Sequence, residues 1–509
     1  MHLSLGHAVY LKVRKVHKGP LRNIGREGRE KLKKELTILQ VNDTHSYLTL
    51  HNELYYGADG IWMGKAGGYA RIQSLVSGIR KERGEKVLFL DNGDTFHGTY
   101  EAVETKGASM VPVLNRLGLD AMTFHWDTAY GPAVLKELAA QLTYPVLAIN
   151  VFKKDTKELF FEPYLMKEIS GIKVGIIGIA SNMVDKTMPP SFSEGLYFTL
   201  GKEELPGWTE KVKAEGAELV VMLSHLGFPQ DVQMLKAVKG IDVCISGHTH
   251  NRLREPEVVE GAYIIQSGSQ GSFLGRIDLT LEEGKITDLS HELLDVREDI
   301  PEDGEMKALI DRTVEPYREK LDAKVGETLV DLHRGTSLES PTDNLILSAL
   351  LKATGAEVAF SNGWRYGAPV PKGEVTLRDL YNIIPVNPPV SLVEMTGAEM
   401  YEMIEANLES TYAKDPFSQI GGYLKRALGI RVYIKIENAK GSRIQKFFVG
   451  SEELDLEKTY RVTFVTEQGV PKKFGKNRRN MDMKAVDALE DYLKATPFEL
   501  GHVDTFIVV

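Results

Sequence analysis

Short apolar runs alternate with amphipathic stretches along the first half of the chain. Leu36-Thr37-Ile38-Leu39-Gln40-Val41, Lys86-Val87-Leu88-Phe89-Leu90, Leu119-Asp120-Ala121-Met122-Thr123, Ile172 to Ile179, Leu219-Val220-Val221-Met222-Leu223 and Ile241 to Ile245 read as buried strands. Helices are predicted over 66–83, entered through Gly67-Gly68, and around 107–117. Strands alternating with helices predict an α/β arrangement in which strand ends carry the chemistry. After Ser267-Gly268-Ser269 the pattern turns to short strands as far as about 297, and 301–325, rich in Glu, Lys and Asp at helical spacing, reads as a linker helix. Beyond it, helices at 342–354 and 396–408 and strands near 356–361, 430–436 and 459–465 form a second domain. The expected organisation is a basic extension 1–35, a first domain 36–300, the linker 301–325 and a second domain 326–509.

Composition narrows the picture. A chain of 509 residues is too long for one ordinary core, and 42% hydrophobic with 26% charged residues is the balance of a globular protein. The net charge of −9 argues against a nucleic-acid partner, and no apolar run is long enough for a bilayer-spanning helix. The N-terminus lacks the uninterrupted apolar segment and small-residue cleavage site of an export signal, so a cytoplasmic location is expected from the sequence as it stands. The single cysteine, Cys244, lies in an apolar run and is expected to be a buried strand residue.

The chemistry sits directly after the strands. Asp43-Thr44-His45, Gly93-Asp94, His125-Trp126, Ser224-His225 and Gly247-His248-Thr249-His250 each follow an apolar run. Carboxylates with imidazoles suit a transition metal better than calcium, and a pair of divalent ions sharing a carboxylate can activate water. Asp94, alone on its loop after a Gly turn, is the natural bridge. Asp43 and His45, two apart, can converge on one ion, and His248 and His250 have the same spacing. Gly247 lets the backbone turn closely around the site. Asp-x-His alone is common by chance; it is the whole set in this order that carries the reading.

Asn42-Asp43-Thr44-His45, Asp91-Asn92-Gly93-Asp94, Ser224-His225-Leu226-Gly227 and Gly247-His248-Thr249-His250 resemble the calcineurin-like metallophosphoesterases, and among them the 5′-nucleotidase family. Asp343-Asn344-Leu345, Ala353-Thr354-Gly355-Ala356-Glu357 and Ser361-Asn362-Gly363 resemble that family's C-terminal domain. The resemblance implies a four-layer αββα sandwich followed by a C-terminal α/β 5′-nucleotidase-type domain. It implies one metal held by Asp43, His45, Asp94 and His250. The other is then held by Asp94, His225, His248 and a residue of the His125 segment. The metal implied first is manganese, with zinc or iron as alternatives. Arg365 falls where the family places a substrate-binding arginine, and a planar guanidinium suits an anionic tetrahedral group.

One block departs from the nucleotidase pattern. Where those enzymes carry Gly-Asn-His-Glu-Phe-Asp, this chain has Phe124-His125-Trp126-Asp127-Thr128-Ala129, so His125 stands at the metal-binding Asn, Trp126 at the catalytic His and Ala129 at its supporting Asp. An alkoxide leaving group benefits from a proton donor, whereas a persulfide leaves with less help. The His-Trp-acid pattern resembles the SoxB branch, a dimanganese thiosulfohydrolase that releases sulfate from a cysteine-S-thiosulfonate on a carrier protein. Lys65-Ala66-Gly67-Gly68-Tyr69-Ala70, Asn362-Gly363-Trp364-Arg365-Tyr366-Gly367 and Gln419-Ile420-Gly421-Gly422 are similar to the same branch.

The expected function is therefore a two-metal hydrolase cleaving a thiosulfonate or related ester, with Asp94, His125 and Arg365 catalytic and Arg365, Asn362, Trp126 and Phe417 contacting substrate. Expected partners are a small anionic substrate and a sulfur carrier with a C-terminal cysteine arm, with no membrane or nucleic acid; SoxB proteins themselves are normally exported. The alternative is a nucleotide phosphohydrolase, with one aromatic base contact from Phe417. A third reading is a metal-bearing binding protein that hydrolyses no activated ester. His97, close after Asp94, is a lesser candidate for acid chemistry or for supporting the ligands.

Overall fold

The computed structural model describes residues 33–501 and 504–509. The basic extension expected over 1–35 therefore lies almost wholly outside the described residues.

Two sheets face one another in the N-terminal half. In the first, Lys34–Val41 pairs in parallel with Val87–Asp91, which pairs in parallel with Ala121–Met122. The other edge of Lys34–Val41 is antiparallel to Phe273–Glu282, itself paired with Lys285–Asp295. The stretch after Gly268 is thus one long hairpin rather than the short strands expected, because polar residues on its alternate positions face solvent and do not break the strands. In the second sheet Ile172–Ile179, Leu219–Ser224, Val243–Ser246 and Ala262–Ile265 run in parallel.

The inner faces meet through Leu36, Ile38, Leu88 and Leu90 on one side and Val174, Ile176, Val221, Leu223, Val243 and Ile245 on the other, all buried. The outer faces carry helices. Leu39, Val41 and Phe89 pack under Tyr69–Arg83 and Met110–Leu117, while Ile177, Val220, Met222 and Cys244 pack under Leu205–Ala214 and Phe228–Ala237. Helix, sheet, sheet, helix is the four-layer arrangement, and its reason is strand burial on both faces. Cys244 is buried and free.

Helix Gly304–Leu321 leads to the C-terminal half and packs on the two helices of the first outer layer. There a five-stranded sheet runs in the order Tyr423–Leu428, Val358–Gly363, Thr459–Val465, Pro389–Thr396, Lys476–Lys484. Helices Pro341–Thr354 and Ala485–Ala495 cover one face and Gly397–Tyr412 the other. Capping explains where two of these helices start: Ser340 accepts from the Asp343 N–H, and Thr396 with Glu399 forms a reciprocal box. Among the described residues no helix is long and apolar enough to cross a membrane.

Candidate metal centre and cleft

Parallel strands place their C-terminal ends at one edge of both sheets, and every Asp/His segment follows such an end. The two strand tips are tied by buried amides. Gln40 Nε2 donates to Asn92 Oδ1 at 2.7 Å and to the Ser246 carbonyl at 2.7 Å, and Asn92 Nδ2 donates to the carbonyls of Ser224 and Ile245 at 2.8 and 2.7 Å. Asp231 adds a second tie, accepting from Ser224 Oγ and Ser246 Oγ, each at 2.6 Å, just ahead of His225 and Gly247.

Two groups of ligating side chains result: Asp94, His125, His225 and His248, and Asp43, His45 and His250. Within the first, Asp94 Oδ2 is 3.1 Å from His125 Nδ1 and 3.4 Å from His225 Nε2. The groups meet at Asp43 Oδ1, 3.3 Å from His250 Nε2 and 3.5 Å from His225 Nε2. All seven residues singled out from the sequence as metal ligands are brought together. His97 is not exposed; it is buried behind Trp126, ring centroids 4.9 Å apart, and its carbonyl lies 3.3 Å from His45 Nδ1.

The backbone is bent to aim these groups. Asp43, His45, Asp94, His248 and His250 all have φ between 47° and 72°, a region that side-chain-bearing residues rarely adopt. Gly247 has no room for a side chain, since a Cβ there would come within 2.9 Å of Asn92 Cβ and 3.1 Å of His225 Nδ1.

The donor set fits a pair of divalent cations. Asp43 Oδ1, His125 Nε2, His225 Nε2 and His248 Nε2 are buried without a hydrogen-bond partner, a costly state that bound cations relieve. Asp43 Oδ2 is occupied, accepting from Asn42 Nδ2 and the His248 N–H, which leaves Oδ1 free for an ion. His225 Nδ1 is 2.6 Å from the Asn92 carbonyl, so Nδ1 keeps its proton and Nε2 is the nitrogen offered to a cation; against burial, the carboxylates of Asp43 and Asp94 push this imidazole up to about 9, so a cation must displace the Nε2 proton. Burial holds the imidazole of His45 down at about 4 and that of His248 well below its ordinary range, so both are in the neutral, ligating form. Burial alone would raise the Asp94 carboxyl, but the imidazoles of His125 and His225 outweigh it and hold it ionised.

Asp127 holds two ligand loops at once. Its Oδ2 accepts from the N–H groups of Asp94 and His125 at 2.9 and 3.0 Å, and its Oδ1 from those of Thr95 and Phe96 at 2.8 and 2.9 Å. Replacing Asp127 by Asn turns an NH₂ toward two N–H donors. Metal affinity of the Asp127→Asn protein is expected to fall about 10–100-fold, measured by competition with a chromogenic chelator; an unchanged affinity refutes the assignment.

The C-terminal half closes the site into a cleft of about 360 Å³. Asn362, Arg365 and Trp126, expected at the substrate, all line it. Arg365 donates from Nη1 to the His248 carbonyl at 3.0 Å and from Nη2 to the Gly422 carbonyl at 3.2 Å, with its guanidinium over the Tyr423 ring. Gly421 lies against the metal loops; a Cβ there would fall 2.4 Å from His248 Nε2. Phe417 is not among the described lining residues. The chain leaving Gly397–Tyr412 turns it outward, and it packs half-buried against the core under helix Phe228–Ala237, with Lys202 Nζ 5.5 Å from its ring. Sequence reasoning missed Tyr366, whose ring lies 5.9 Å from Trp126 and 5.7 Å from His45 and whose buried hydroxyl has no partner. The signal was its place directly after Arg365.

Comparison with known proteins agrees with this geometry. Residues 323–466 match the family model of the 5′-nucleotidase C-terminal domain. The trifunctional nucleotide phosphoesterase protein YfkN of Bacillus subtilis is 26% identical over 483 residues, covering 84% of this chain but 31% of its own, so this chain spans about a third of that relative. The snake venom 5′-nucleotidase of Naja atra is 27% identical, covering 84% of this chain and 88% of its own. Among solved structures, the Thermus thermophilus sulfate thiohydrolase SoxB has a TM-score of 0.86 at 24% identity, covering 93% of this chain and 96% of that one, a likeness of fold. A 5′-nucleotidase precursor, also of Thermus thermophilus, has a TM-score of 0.81 at 25% identity, covering 93% and 99%.

Proposed function

We propose that this chain, whose residues 323–466 match the 5′-nucleotidase C-terminal domain and whose curated relatives include nucleotide phosphoesterases, is a metal-dependent hydrolase of a thiosulfonate, releasing sulfate from a cysteine-S-thiosulfonate presented by a carrier protein. The observation that carries the reading is the make-up of the cleft. Among the described lining residues every imidazole belongs to one of the two ligand groups, and Trp126 stands where a proton-handling histidine would serve an alkoxide leaving group. When bound, two divalent cations, manganese first, supply an activated water and neutralise charge on the group under attack.

The chain's own residues do the rest. Arg365 faces the cleft as a half-buried guanidinium held by carbonyls and an aromatic ring, and among the described residues no carboxylate lies within ion-pair distance to compete for an incoming sulfonate. Trp126, Trp364 and Tyr366 form an apolar wall that keeps water from the leaving side. In the reaction a water oxygen bonds to the sulfonate sulfur, the two water protons are released to solvent, the S–S bond breaks, and its electron pair leaves on the persulfide sulfur. That group is a far weaker base than an alkoxide and needs no imidazolium.

A second reading, hydrolysis of nucleotide phosphates, is favoured by the names of the curated relatives. The two separate by ranking. With manganese, an S-thiosulfonated cysteine peptide is expected to release sulfate with a kcat/KM well above that for phosphate release from adenosine monophosphate; the reverse order sinks the first reading. Arg365→Met is expected to lower kcat/KM on the better substrate by about 10²-fold, mostly through kcat. A change confined to KM would show that Arg365 binds ground state and transition state alike.

A further inference from the structure

The cleft extends past Arg365 along strand Tyr423–Leu428, and Tyr423 and Lys425, two apart on that strand, both line it. Lys425 is 4% exposed. Its Nζ donates to the Gln468 carbonyl, and among the described residues no carboxylate lies within ion-pair distance. The other lysines lining the cleft are engaged elsewhere: Lys186 pairs with Asp185 at 2.9 Å, Lys472 with Glu467 at 2.6 Å and Lys473 with Glu402 at 3.4 Å. Capping one carbonyl does not require an ammonium, and burying one without a counter-ion is costly. Burial pushes the Lys425 ammonium down to about 7, so its charge is favoured once an anion lies beside it.

The segment beside Lys425 carries a second sign. Thr466, a β-branched residue, is held at φ 60°, and its buried Oγ1 has no partner. Such backbone strain persists only where surroundings impose it, and here it delivers Glu467 and Gln468 to the cleft wall beside Lys425. Asn362 and Asn407 add amide groups to the same cleft lining.

We propose that Lys425 receives a carboxylate borne by the leaving half of the substrate, so that the cleft grips its substrate by an anion at each end. One unpaired ammonium matches one negative charge, which selects a carboxylate over a dianionic group. The inference rests on reading the metal end as the receptor for the ester head.

The test uses the full chain loaded with manganese and a series of non-hydrolysable ω-carboxyalkyl phosphonates with two to six methylenes, each against its ω-carboxamide, by titration calorimetry. At one or two chain lengths the acid is expected to bind at least tenfold tighter than the amide. In Lys425→Met and Lys425→Gln that ratio is expected to fall to near one, and in Lys425→Arg to persist. A wild-type ratio near one at every length overturns the proposal, as does a tenfold ratio surviving in Lys425→Met. If the variants do not fold, the wild-type ratio alone decides. Failure of every phosphonate to bind overturns the reading of the metal end, and this inference with it; binding without acid-over-amide preference overturns this inference alone.

Discussion

Asp94→Ala is expected to lower hydrolysis of any substrate by about 10³-fold or more while leaving the protein folded. Asp94 is nearly fully buried just past the end of strand Val87–Asp91, and each of its oxygens is committed. Oδ1 accepts from the Trp126 N–H at 2.7 Å, which positions the loop bearing His125, and Oδ2 faces His125 and His225. Removing the carboxylate leaves three imidazoles, His125, His225 and His248, with no anion of their own group to offset a divalent charge. The metal content of the Asp94→Ala protein, measured by emission spectroscopy after dialysis, is expected to drop by one ion, with far-ultraviolet circular dichroism unchanged. Retention of a tenth of the activity with full metal content would refute the role given to Asp94.

Asp343→Ala is expected to destabilise the C-terminal half by about 3–5 kcal/mol. Asp343 is fully buried between two buried arginines, accepting from Arg334 Nε at 3.0 Å and Arg426 Nε at 2.9 Å, and also from Ser340 Oγ at 2.6 Å. Truncation strands two guanidiniums away from water, and that penalty exceeds the worth of the lost contacts. The effect reaches the cleft, because Arg334 also donates to the carbonyls of Tyr366 and Ile383 and so holds the segment that follows Arg365. Urea denaturation followed by tryptophan fluorescence measures the change through Trp364. A loss under about 1 kcal/mol would mean that solvent reaches the arginines in the variant.

The elements that position the site were legible in the sequence because the strands that deliver it are predominantly apolar runs. Ile172–Ile179 has the expected limits, and Leu219–Ser224 extends them by one residue. Such runs are buried on both faces, so their pattern does not depend on what packs against them. The hairpin Phe273–Glu282 with Lys285–Asp295 was read as shorter pieces because the second strand is buried mainly near its end and carries polar residues elsewhere. Phe417 shows the opposite failure. Its neighbours in sequence suggest a ligand contact, but a three-residue helical turn, Pro416–Ser418, sends its ring to the outer helix layer.

What the sequence by itself determined is the donor set: carboxylates and imidazoles in number and kind suited to divalent metals, each placed after a strand, with Trp126 in their midst. Which atoms meet was decided only by the tertiary structure. Five of the ligand residues adopt left-handed backbone that no local propensity favours, and they hold it because Asn92, Asp127 and Asp231 tie their loops from other strands and helices. Lys425 belongs to the same category. In the sequence it is one lysine among many; only folding removes it from water, leaves it with no carboxylate in ion-pair reach among the described residues and sets it in the wall of the cleft that the metal ligands share.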